Sequence, residues 1–315
     1  MLERVVNPPS GFGKAPANRD WESVFTTWSS SPSASEVERA ENAEGMIRSA
    51  IKNSPKLQYR NIKVFTQGSY RNRVNVRKDS DVDIGIVCYD AFFPEYPDEN
   101  VKAIRKNLDL SATYTYAAFR NDIEEALVAK FGRSAVSRGS KAFDVSETTY
   151  RVDADVCAFF EHRRYTSDTK YISGVEMVPD NYQPPRIRNW PEQHYSNGVA
   201  KNSQSSKRFK RSVRILKSLC NDMALRGISS AGRTPSFLIE CLVWNVPNSI
   251  FECQSYWTLT REVLAWIFNN TLGDDKCNNW GEISELKYLF RTSQPWTRQT
   301  AHQFVSDAWD YVGFK

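Results

Sequence analysis

The sequence predicts an α+β fold with a small sheet in the first half of the chain and a helical region at its end. Two segments, 81–89 and 150–159, alternate aspartates with apolar residues, and this period of two is typical of strands with one buried face. Segment 205–226 instead has apolar residues every three or four positions, which indicates an amphipathic helix. We therefore expect a core over residues 33–195 and a C-terminal helical domain over residues 196–315.

The core is expected to contain one long helix, a further helical segment and several strands, preceded by a poorly ordered N-terminal arm. The arm, residues 1–32, is rich in Pro, Ser and Gly. Segment 33–51 has a Ser-rich start and apolar residues at helical spacing, which predicts the long helix, and residues 101–131 are also predicted to be helical. The segments predicted as strands are 61–67, 81–89, 141–145, 150–159 and 171–178, of which 141–145 and 150–159 form a hairpin.

Composition excludes secreted and membrane-spanning proteins. Hydrophobic residues make up 40% of the chain and charged residues 25%, which is ordinary for a globular protein. No apolar run approaches the ~20 residues that cross a bilayer, and the N-terminus lacks the apolar stretch of a secretory signal, so we expect a cytoplasmic protein. The six cysteines are scattered without a C-x-x-C pair, which predicts buried thiols and no structural zinc site.

Positive charge is concentrated in one stretch of the chain. The formal net charge is +5, yet residues 186–217 alone contain nine Lys or Arg and one acid. A local basic stretch on a near-neutral chain favours a polyanion site over general nucleic-acid coating. The alternative is a solvated helix face.

Aspartates mark one face of the first acidic strand. In Asp81-Val82-Asp83-Ile84 the two carboxylates share a face and the aliphatic side chains share the other. Two like charges this close are tolerated only with a cation between them or with strong solvation, and hard oxygen ligands suit Mg²⁺. The alternative is an exposed edge strand with an acidic face.

A second strand repeats the pattern. Asp153 and Asp155 alternate with Val152, Ala154 and Val156. If the two strands are neighbours in one sheet, three or four carboxylates converge. Such a cluster fits two-metal catalysis, in which the ions bracket the attacking and leaving oxygens of an in-line displacement.

Two groups of residues are candidates for phosphate binding. Gly68 lets the backbone approach a phosphate closely, and Ser69 offers a hydroxyl and an N–H at a predicted helix start. On the predicted basic helix, Lys210, Arg214 and Lys217 form a stripe about 100° from the apolar stripe. This angle predicts that the three cations lie at the rim of the buried face.

Ser236 is a further candidate because it follows a predicted helix start. Thr234 is expected to cap this helix and Pro235 to occupy its first position. The N–H groups and dipole of a first helical turn favour an anion. The alternative is that Ser236 only helps to cap.

In combination these motifs resemble those of the polymerase-β-like nucleotidyltransferases, and within them the bacterial cGAS/DncV-like enzymes. The matching stretches are Gly68-Ser69-Tyr70-Arg71-Asn72-Arg73, Ser80-Asp81-Val82-Asp83-Ile84, Val152-Asp153-Ala154-Asp155-Val156, Asn189-Trp190-Pro191-Glu192-Gln193-His194, Lys201-Asn202, Val213-Arg214-Ile215-Leu216-Lys217 and Ser236-Phe237-Leu238-Ile239-Glu240. They cover roughly residues 33–250. The resemblance implies a small mixed sheet with a long N-terminal spine helix, followed by a C-terminal helical lobe.

The resemblance also implies an activity, the synthesis of cyclic di- or trinucleotide second messengers in anti-phage defence. Asp81, Asp83 and Asp155 would hold two Mg²⁺ ions, for which Mn²⁺ is an expected substitute. Asp155 would also help to deprotonate the ribose hydroxyl that attacks the donor α-phosphate. The third carboxylate is Asp155 by its position in the motif, and Asp153 stays open as the alternative.

The implied phosphate ligands come from both halves of the chain. Ser69, beside Gly68, would contact the donor phosphates, and Lys217 with Ser236 would grip the triphosphate tail. Further candidates are Asp153, Arg214, Lys210 and Phe237, whose ring would stack on a base or pack in the core.

The expected substrates are nucleoside triphosphates, with ATP and GTP first, and the expected product is a purine cyclic dinucleotide such as a cyclic GMP–AMP. A downstream effector would be reached through this product. A monomer is expected, without a membrane partner. The zinc-binding insertion of the animal DNA sensor of this superfamily has no counterpart here, so zinc-dependent DNA sensing is not expected.

Two positions depart from the family's pattern. Ala158 stands where a Pro is common, three residues after the third aspartate, and Val74 stands where a Thr is frequent, five residues after Ser69. Neither position is a metal ligand, so we expect activity to survive.

Two other functions stay open. An enzyme of this superfamily can transfer one nucleotide to another acceptor, such as an RNA 3′ end, a protein or an antibiotic. A non-enzyme would keep the fold as an RNA-binding module, but such proteins typically lose the carboxylates that this chain retains.

Overall fold

The computed structural model describes residues 15–16, 18–76, 81–108, 113–148 and 152–315. The chain forms two compact units. The core unit is Pro32–Glu192, and the helical unit combines Gln193–Lys315 with the described part of the N-terminal 31 residues. None of the helices in these described ranges is long and apolar enough to cross a membrane.

The helices divide between the two units. Helix α1 (Trp21–Trp28) belongs to the helical unit, and the core unit contains α2 (Ala34–Lys52), α3 (Gly68–Asn72), α4 (Glu99–Leu108) and α5 (Tyr116–Phe131). The remaining helices, all in the helical unit, are α6 (Pro191–Gln204), α7 (Arg208–Leu225), α8 (Ser229–Gly232), α9 (Ser236–Asn245), α10 (Tyr256–Thr271), α11 (Asp274–Cys277) and α12 (Arg298–Val312), of which α6 begins at the end of the core unit. Short 3₁₀ turns occur at Arg133–Ala135 and Asn248–Phe251.

The long helix predicted over residues 33–51 is confirmed as α2. It begins with a capping box, in which the Glu36 N–H donates to the Ser33 hydroxyl at 3.3 Å and the Ser33 N–H donates to the Glu36 carboxylate at 2.8 Å. Ala43 and Ile47 on its inner face are 0% and 1% exposed. The spacing of these apolar residues therefore predicted both the helix and its buried face correctly.

The helical structure predicted over residues 101–131 is confirmed, and the structure divides it into two helices, α4 and α5. Thr115 caps the second, with its hydroxyl accepting from the Ala118 N–H at 3.1 Å. The Thr115 backbone is extended (φ −83°, ψ 153°), so a continuous helix cannot pass through it. Residues 109–112 lie outside the described part of the chain.

A seven-stranded mixed sheet lies in the described part of the core unit. Its strands are β1 (Ile62–Thr66), β2 (Val82–Glu95), β3 (Val136–Arg138), β4 (Phe143–Val145), β5 (Ala154–Tyr165), β6 (Tyr171–Met177) and β7 (Ile187–Asn189). The order is β1-β2-β5-β4-β3, while β6 pairs with the second half of β5 and with β7. The five predicted strands are confirmed as β1, β2, β4, β5 and β6, whereas the short strands β3 and β7 were not predicted.

Strands β2 and β5 lie side by side and run parallel. Their register pairs Val82 with Ala154 and Ile84 with Val156. All four side chains are at most 1% exposed and belong to the core cluster that also contains the inner face of α2. Because successive side chains of a strand alternate, the aspartates next to these residues face the other side of the sheet.

The arm predicted over residues 1–32 differs from the structure in its described part, which contains α1. Asp20 caps this helix by accepting from the Ser23 N–H at 3.2 Å. Trp21, Phe25 and Trp28 form an aromatic stripe along it, and Phe25 is 0% exposed. The stripe spans only two turns inside a Ser-rich segment, so the overall composition of the segment did not predict a helix.

All six cysteines are free thiols. Cys88, Cys220, Cys241 and Cys277 are buried, as predicted, and Cys157 and Cys253 are half-buried.

Candidate functional site

Three aspartates lie in a row across three neighbouring strands of the core unit. Asp83 on β2 pairs in register with Asp155 on β5, and Asp155 pairs in register with Asp144 on β4. Residues directly opposite one another project to the same face of a sheet, and neighbouring strands are only about 5 Å apart. The topology thus brings together side chains that are up to 72 residues apart in the chain.

Asp81 and Asp153 stand one residue before their strands, which begin at Val82 and Ala154. The prediction that Asp81 itself lies within the strand is therefore wrong by one residue. The Val82 N–H donates to the Asp153 carbonyl at 2.9 Å, so the two strand entrances are also bonded to each other. Asp81 is exposed, and Asp153 is half-buried.

An open pocket of about 450 Å³ lies at this end of the sheet. Its lining residues are Asp81, Asp144, Val145, Ser146, Asp153, Ala154 and Asp155. Four of the seven are carboxylates, so the pocket suits a cation or a ligand that arrives with cations.

The negative charges act on one another. Burial, and then the charges of Asp81, Asp83 and Asp144, raise the pKa of Asp155 from its ordinary 3.8 to about 6. A hydrogen bond with Asp144 adds to this effect. Burial, and then the charges of Asp153 and Asp144, also raise the pKa of Asp81. A bound cation would remove this repulsion by favouring the charged carboxylates.

The aspartates at this end of the sheet offer only oxygen atoms to a metal ion. Among the described residues, no group of three His, Cys, Asp or Glu side chains is already arranged around a point where an ion would sit. The carboxylates instead line one end of neighbouring strands and supply only oxygen donors. This fits Mg²⁺, which usually takes one or two carboxylates and completes its shell with water and substrate phosphate oxygens.

Asp153 and Asp155 have different local partners. An Asp153 oxygen accepts a short hydrogen bond from the Glu147 N–H, which ties Asp153 to the link between β4 and β5. Asp155 lies within β5, between Asp83 and Asp144.

Gly68 lies directly against Asp83. Gly68 has a positive φ of +65°, and a Cβ placed on it would lie 2.8 Å from the Asp83 Cγ and closer still to the Oδ2. The Gln67 N–H donates to the Asp83 carbonyl at 2.8 Å, which joins the start of α3 to β2. Only glycine allows this approach, so the structure brings the Gly68-Ser69 motif and the acidic strand together.

Ser69 is half-buried in the first turn of α3. Its carbonyl accepts from the Val74 N–H at 2.9 Å. Val74, the position at which the family often has Thr, is 0% exposed. Its role here is packing.

Asp144 was missed by the sequence analysis. The stretch Phe143-Asp144-Val145 alternates apolar, acidic and apolar residues, as the two recognised strands do, and both apolar residues are buried. This was the available signal, but it covers only three residues. The register of the predicted hairpin was also needed, because only that register places Asp144 opposite Asp155.

The prediction that the cations of the basic helix lie at the rim of its buried face is wrong for two of the three. Arg214 and Lys217 on α7 are 4% and 3% exposed, whereas Lys210 is half-buried. The Arg214 guanidinium donates to the Ser29 carbonyl, with its Nε at 2.9 Å. Burial, and then the charge of Arg211, lower the pKa of Arg214 to about 10.

Lys217 has a buried acidic partner. Its ammonium donates to Glu240 Oε2 at 3.2 Å, and the His194 Nε2 lies 3.1 Å from Glu240 Oε1. Burial alone would raise the pKa of Glu240, but the charges of Lys217 and His194 outweigh it and lower that pKa to about 2. Glu240 is thus an anion held between two helices other than its own.

Ser236 is the exposed first residue of α9. Pro235 occupies the N-cap position without a side-chain capping bond. Thr234 is not the cap that was predicted, because its hydroxyl donates backwards to the Ser230 carbonyl at 2.8 Å. Phe237 is 37% exposed, and its ring centroid lies 5.7 Å from that of His194. Phe237 is therefore at the surface and not in the core.

Comparisons with known proteins agree with one another. The family model of the cGAS/DncV-like nucleotidyltransferase C-terminal helical domain matches residues 196–313. A cyclic dipyrimidine nucleotide synthase, CdnE, from Legionella pneumophila is 43% identical over 298 residues, which are 93% of this chain and 98% of that protein. A cyclic dipurine nucleotide synthase from Elizabethkingia meningoseptica is 36% identical over 299 residues, 93% and 99% of the two chains.

Structural comparison extends the similarity to the whole fold. The structure of the CdnE cyclic dinucleotide synthase from Elizabethkingia meningoseptica with GTP and Apcpp matches with a TM-score of 0.76 at 33% identity. The match covers 93% of this chain and 99% of that one.

Proposed function

Because this chain belongs to the bacterial cGAS/DncV-like nucleotidyltransferases, we propose that it joins two ribonucleoside triphosphates and closes them into a cyclic dinucleotide. It is a nucleotidyltransferase, and its relatives at 43% and 36% identity are both named as synthases of cyclic nucleotides. The observation that carries the proposal is the in-register pairing of Asp83 with Asp155 beside Gly68. This arrangement places an acidic metal site next to the backbone of Gly68, which has no side chain to keep a phosphate away.

Asp81, Asp83 and Asp155 are the proposed ligands of two divalent cations, with Mg²⁺ as the proposed ion and Mn²⁺ as a substitute. When bound, such ions stabilise the negative charge that develops on the attacking and leaving oxygens. Asp155 has a second task, which is to accept the proton of the attacking ribose hydroxyl. In the metal-free protein, burial and the neighbouring aspartates raise its pKa to about 6, and bound cations would offset this rise and keep the carboxylate charged and able to accept a proton.

Asp155 is preferred to Asp153 as the third ligand for two reasons. An Asp153 oxygen is engaged by the Glu147 N–H, so Asp153 already serves the backbone of the β4–β5 link. Asp155 pairs directly with Asp83 across two parallel strands. We assign Asp153 the role of shaping the pocket.

The proposed phosphate ligands are Gly68, Ser69, Lys217 and Ser236. The start of α3 is held against Asp83, so phosphates bound by Ser69 would lie beside the metal ligands. Lys217 and Ser236 would bind the terminal phosphates. Arg214 is not included, because its guanidinium is buried on the Ser29 carbonyl.

The bases of the product form a separate part of the proposal. The expected purine product, such as a cyclic GMP–AMP, is not confirmed, because the relative at 43% identity is named for pyrimidines and the relative at 36% identity for purines. We propose a product with at least one pyrimidine, since the more similar of these two relatives makes a dipyrimidine nucleotide. In this proposal the product is a second messenger that a downstream effector of antiviral defence reads.

The proposal is tested by product analysis. Purified protein is incubated with all four ribonucleoside triphosphates and Mg²⁺ and without added acceptor, and phosphatase-treated products are identified by mass spectrometry. A phosphatase-resistant cyclic dinucleotide that contains U or C is expected. A dipurine product would overturn the assignment of the bases alone.

The alternatives give different outcomes in the same assay. Label that appears only on added RNA or protein would indicate transfer to another acceptor and would contradict cyclisation. Product that is unaffected by the double change Asp81→Asn, Asp83→Asn would contradict the metal assignment.

A further inference from the structure

Glu240 joins three helices of the protein through one carboxylate. It lies on α9 and contacts Lys217 of α7 and His194 of α6, one with each oxygen. Glu240 and Lys217 are 4% and 3% exposed. Two charges removed this far from water are tolerated only in a fixed geometry with further hydrogen bonds, and His194 supplies such a bond.

The geometry of a helix predicts that Glu240 leans towards the start of α9. Side chains on a helix tilt towards the N-terminus and cover the preceding turn. Ser236 lies four residues before Glu240, on the same face of α9. The Lys217 ammonium, bonded to Glu240, is thereby held on the side of α9 that carries Ser236.

The direction of the Lys217 donors is decided by Glu240. An ammonium has three donors, and the contact with Glu240 uses one of them. Because only 3% of Lys217 reaches solvent, its side chain cannot swing freely towards a ligand. The bond to Glu240 therefore fixes the directions of the two other N–H donors of Lys217.

We propose that Glu240 is a positioning residue for triphosphate binding, which aims Lys217 at the terminal phosphates while His194 holds the carboxylate in place. This inference rests on the proposed function, in which Lys217 and Ser236 bind the triphosphate. Glu240 itself touches no substrate, because a carboxylate repels phosphate. Its effect passes through Lys217 and is confined to ligands that carry the terminal phosphates.

The test compares ligands with and without those phosphates. Binding of non-hydrolysable ATP and UTP analogues, and of AMP and UMP, is measured by calorimetry with Mg²⁺ for the wild-type protein and for Glu240→Gln. This change keeps the size of the side chain and removes its charge. We expect triphosphate binding to weaken about tenfold, as for the loss of one well-aimed charged hydrogen bond, and monophosphate binding to stay unchanged.

A matched control is available in the same unit. Glu282 is also buried, 5% exposed, and accepts from Gln294 at 2.7 Å. Glu282→Gln should leave both classes of ligand unaffected. Equal weakening of triphosphate and monophosphate binding by Glu240→Gln, or no weakening at all, would overturn the proposal, because a purely structural residue gives one of these two results.

A second variant covers the case in which Glu240→Gln does not fold. His194→Gln keeps the ion pair of Lys217 and Glu240 and removes only the contact of the imidazole with Glu240. We expect triphosphate binding to weaken less than in Glu240→Gln and monophosphate binding to stay unchanged. If this variant binds all ligands like the wild type, the proposal is wrong. If the wild-type protein binds triphosphates no more tightly than monophosphates, this inference alone is wrong. If the four triphosphates give no cyclic product, the proposed function is wrong.

Discussion

The backbone of Gly68 lies so close to the carboxylate of Asp83 that a single added methyl group has no room. A Cβ at position 68 would lie 2.8 Å from the Asp83 Cγ. Only the hydrogen of glycine fits, and the positive φ of Gly68 (+65°) independently disfavours any other residue.

Gly68→Ala is therefore expected to lower the rate of cyclic dinucleotide formation about 100-fold, because even a small displacement of a metal ligand is costly to catalysis. The measurement is the initial rate of product formation at saturating Mg²⁺. The control is Gly132→Ala, since Gly132 also has a positive φ (+85°) but has no atom within 4 Å of the added Cβ. The control should lose about 1–3 kcal/mol of stability and keep its activity. Equal rates in the two variants would contradict the contact.

The two aspartates of β5 are expected to respond differently to the same substitution. Asp155→Asn should lower product formation by at least about 100-fold, because it removes a metal ligand and the proposed base. Asp153→Asn keeps an oxygen that can accept from the Glu147 N–H, so most of the activity should remain. Parallel rate measurements with both variants decide the third ligand. The opposite ranking would move the assignment to Asp153.

The raised pKa of Asp155 predicts how the stability of the metal-free protein depends on pH. Well below its ordinary pKa of 3.8, this carboxyl group is neutral in the folded and unfolded states and costs nothing. As the pH rises towards the folded-state pKa of about 6, folding increasingly opposes ionisation, so its contribution to the free energy of unfolding falls and then stays low.

Asp155→Asn removes this cost. In the presence of a chelator at pH 7.5 the variant should melt about 2–4 °C above the wild type, a modest gain because Asp155 is half-exposed and partly screened. The difference should shrink as the pH falls from 6 towards 4 and vanish only well below 3.8. Thermal unfolding across this pH range measures it, and replacing the chelator with Mg²⁺ should stabilise only the wild type. A variant that is less stable than the wild type at pH 7.5 without metal would show that Asp155 is not under repulsion.

The buried pair of Lys217 and Glu240 predicts a large effect on stability. Lys217→Met leaves the Glu240 charge without its main partner and should lower the free energy of unfolding by about 3–5 kcal/mol. Adding Glu240→Gln removes the stranded charge, so the double variant should recover most of the loss. Urea unfolding of the nucleotide-free protein measures both.

The exposed Lys276 offers the comparison for this experiment. Lys276→Met should change the free energy of unfolding by no more than about 0.5 kcal/mol. If Lys217→Met proves equally mild, the lysine is not the counter-ion of Glu240.

Local signals in the sequence predicted the parts of the fold that depend on neighbours in the chain. Helix α2 was predicted from its spacing and carries its own capping box at Ser33 and Glu36. The acidic strands were predicted from their alternation, and their burial pattern follows it, with Val82 and Ile84 at 0% exposure.

Features set by distant partners could not be predicted. The spacing of α7 gave the direction of Arg214 and Lys217 around the helix axis but not their depth. That depth depends on Ser29, 185 residues away from Arg214, and on Glu240, 23 residues away from Lys217. Asp144 likewise lies beside Asp155 only because of the register of β4 with β5.

The parallel register of β2 and β5 couples the arrangement of the aspartates to the packing of the core. A slip of one residue between strand and core would turn the carboxylates inward and Val82 or Ala154 outward, which the hydrophobic core would not tolerate. A chain that buries its aliphatic residues correctly has therefore already placed Asp83 and Asp155 side by side on the opposite face of the sheet. One register thus sets both the packing of the core and the arrangement of the aspartates.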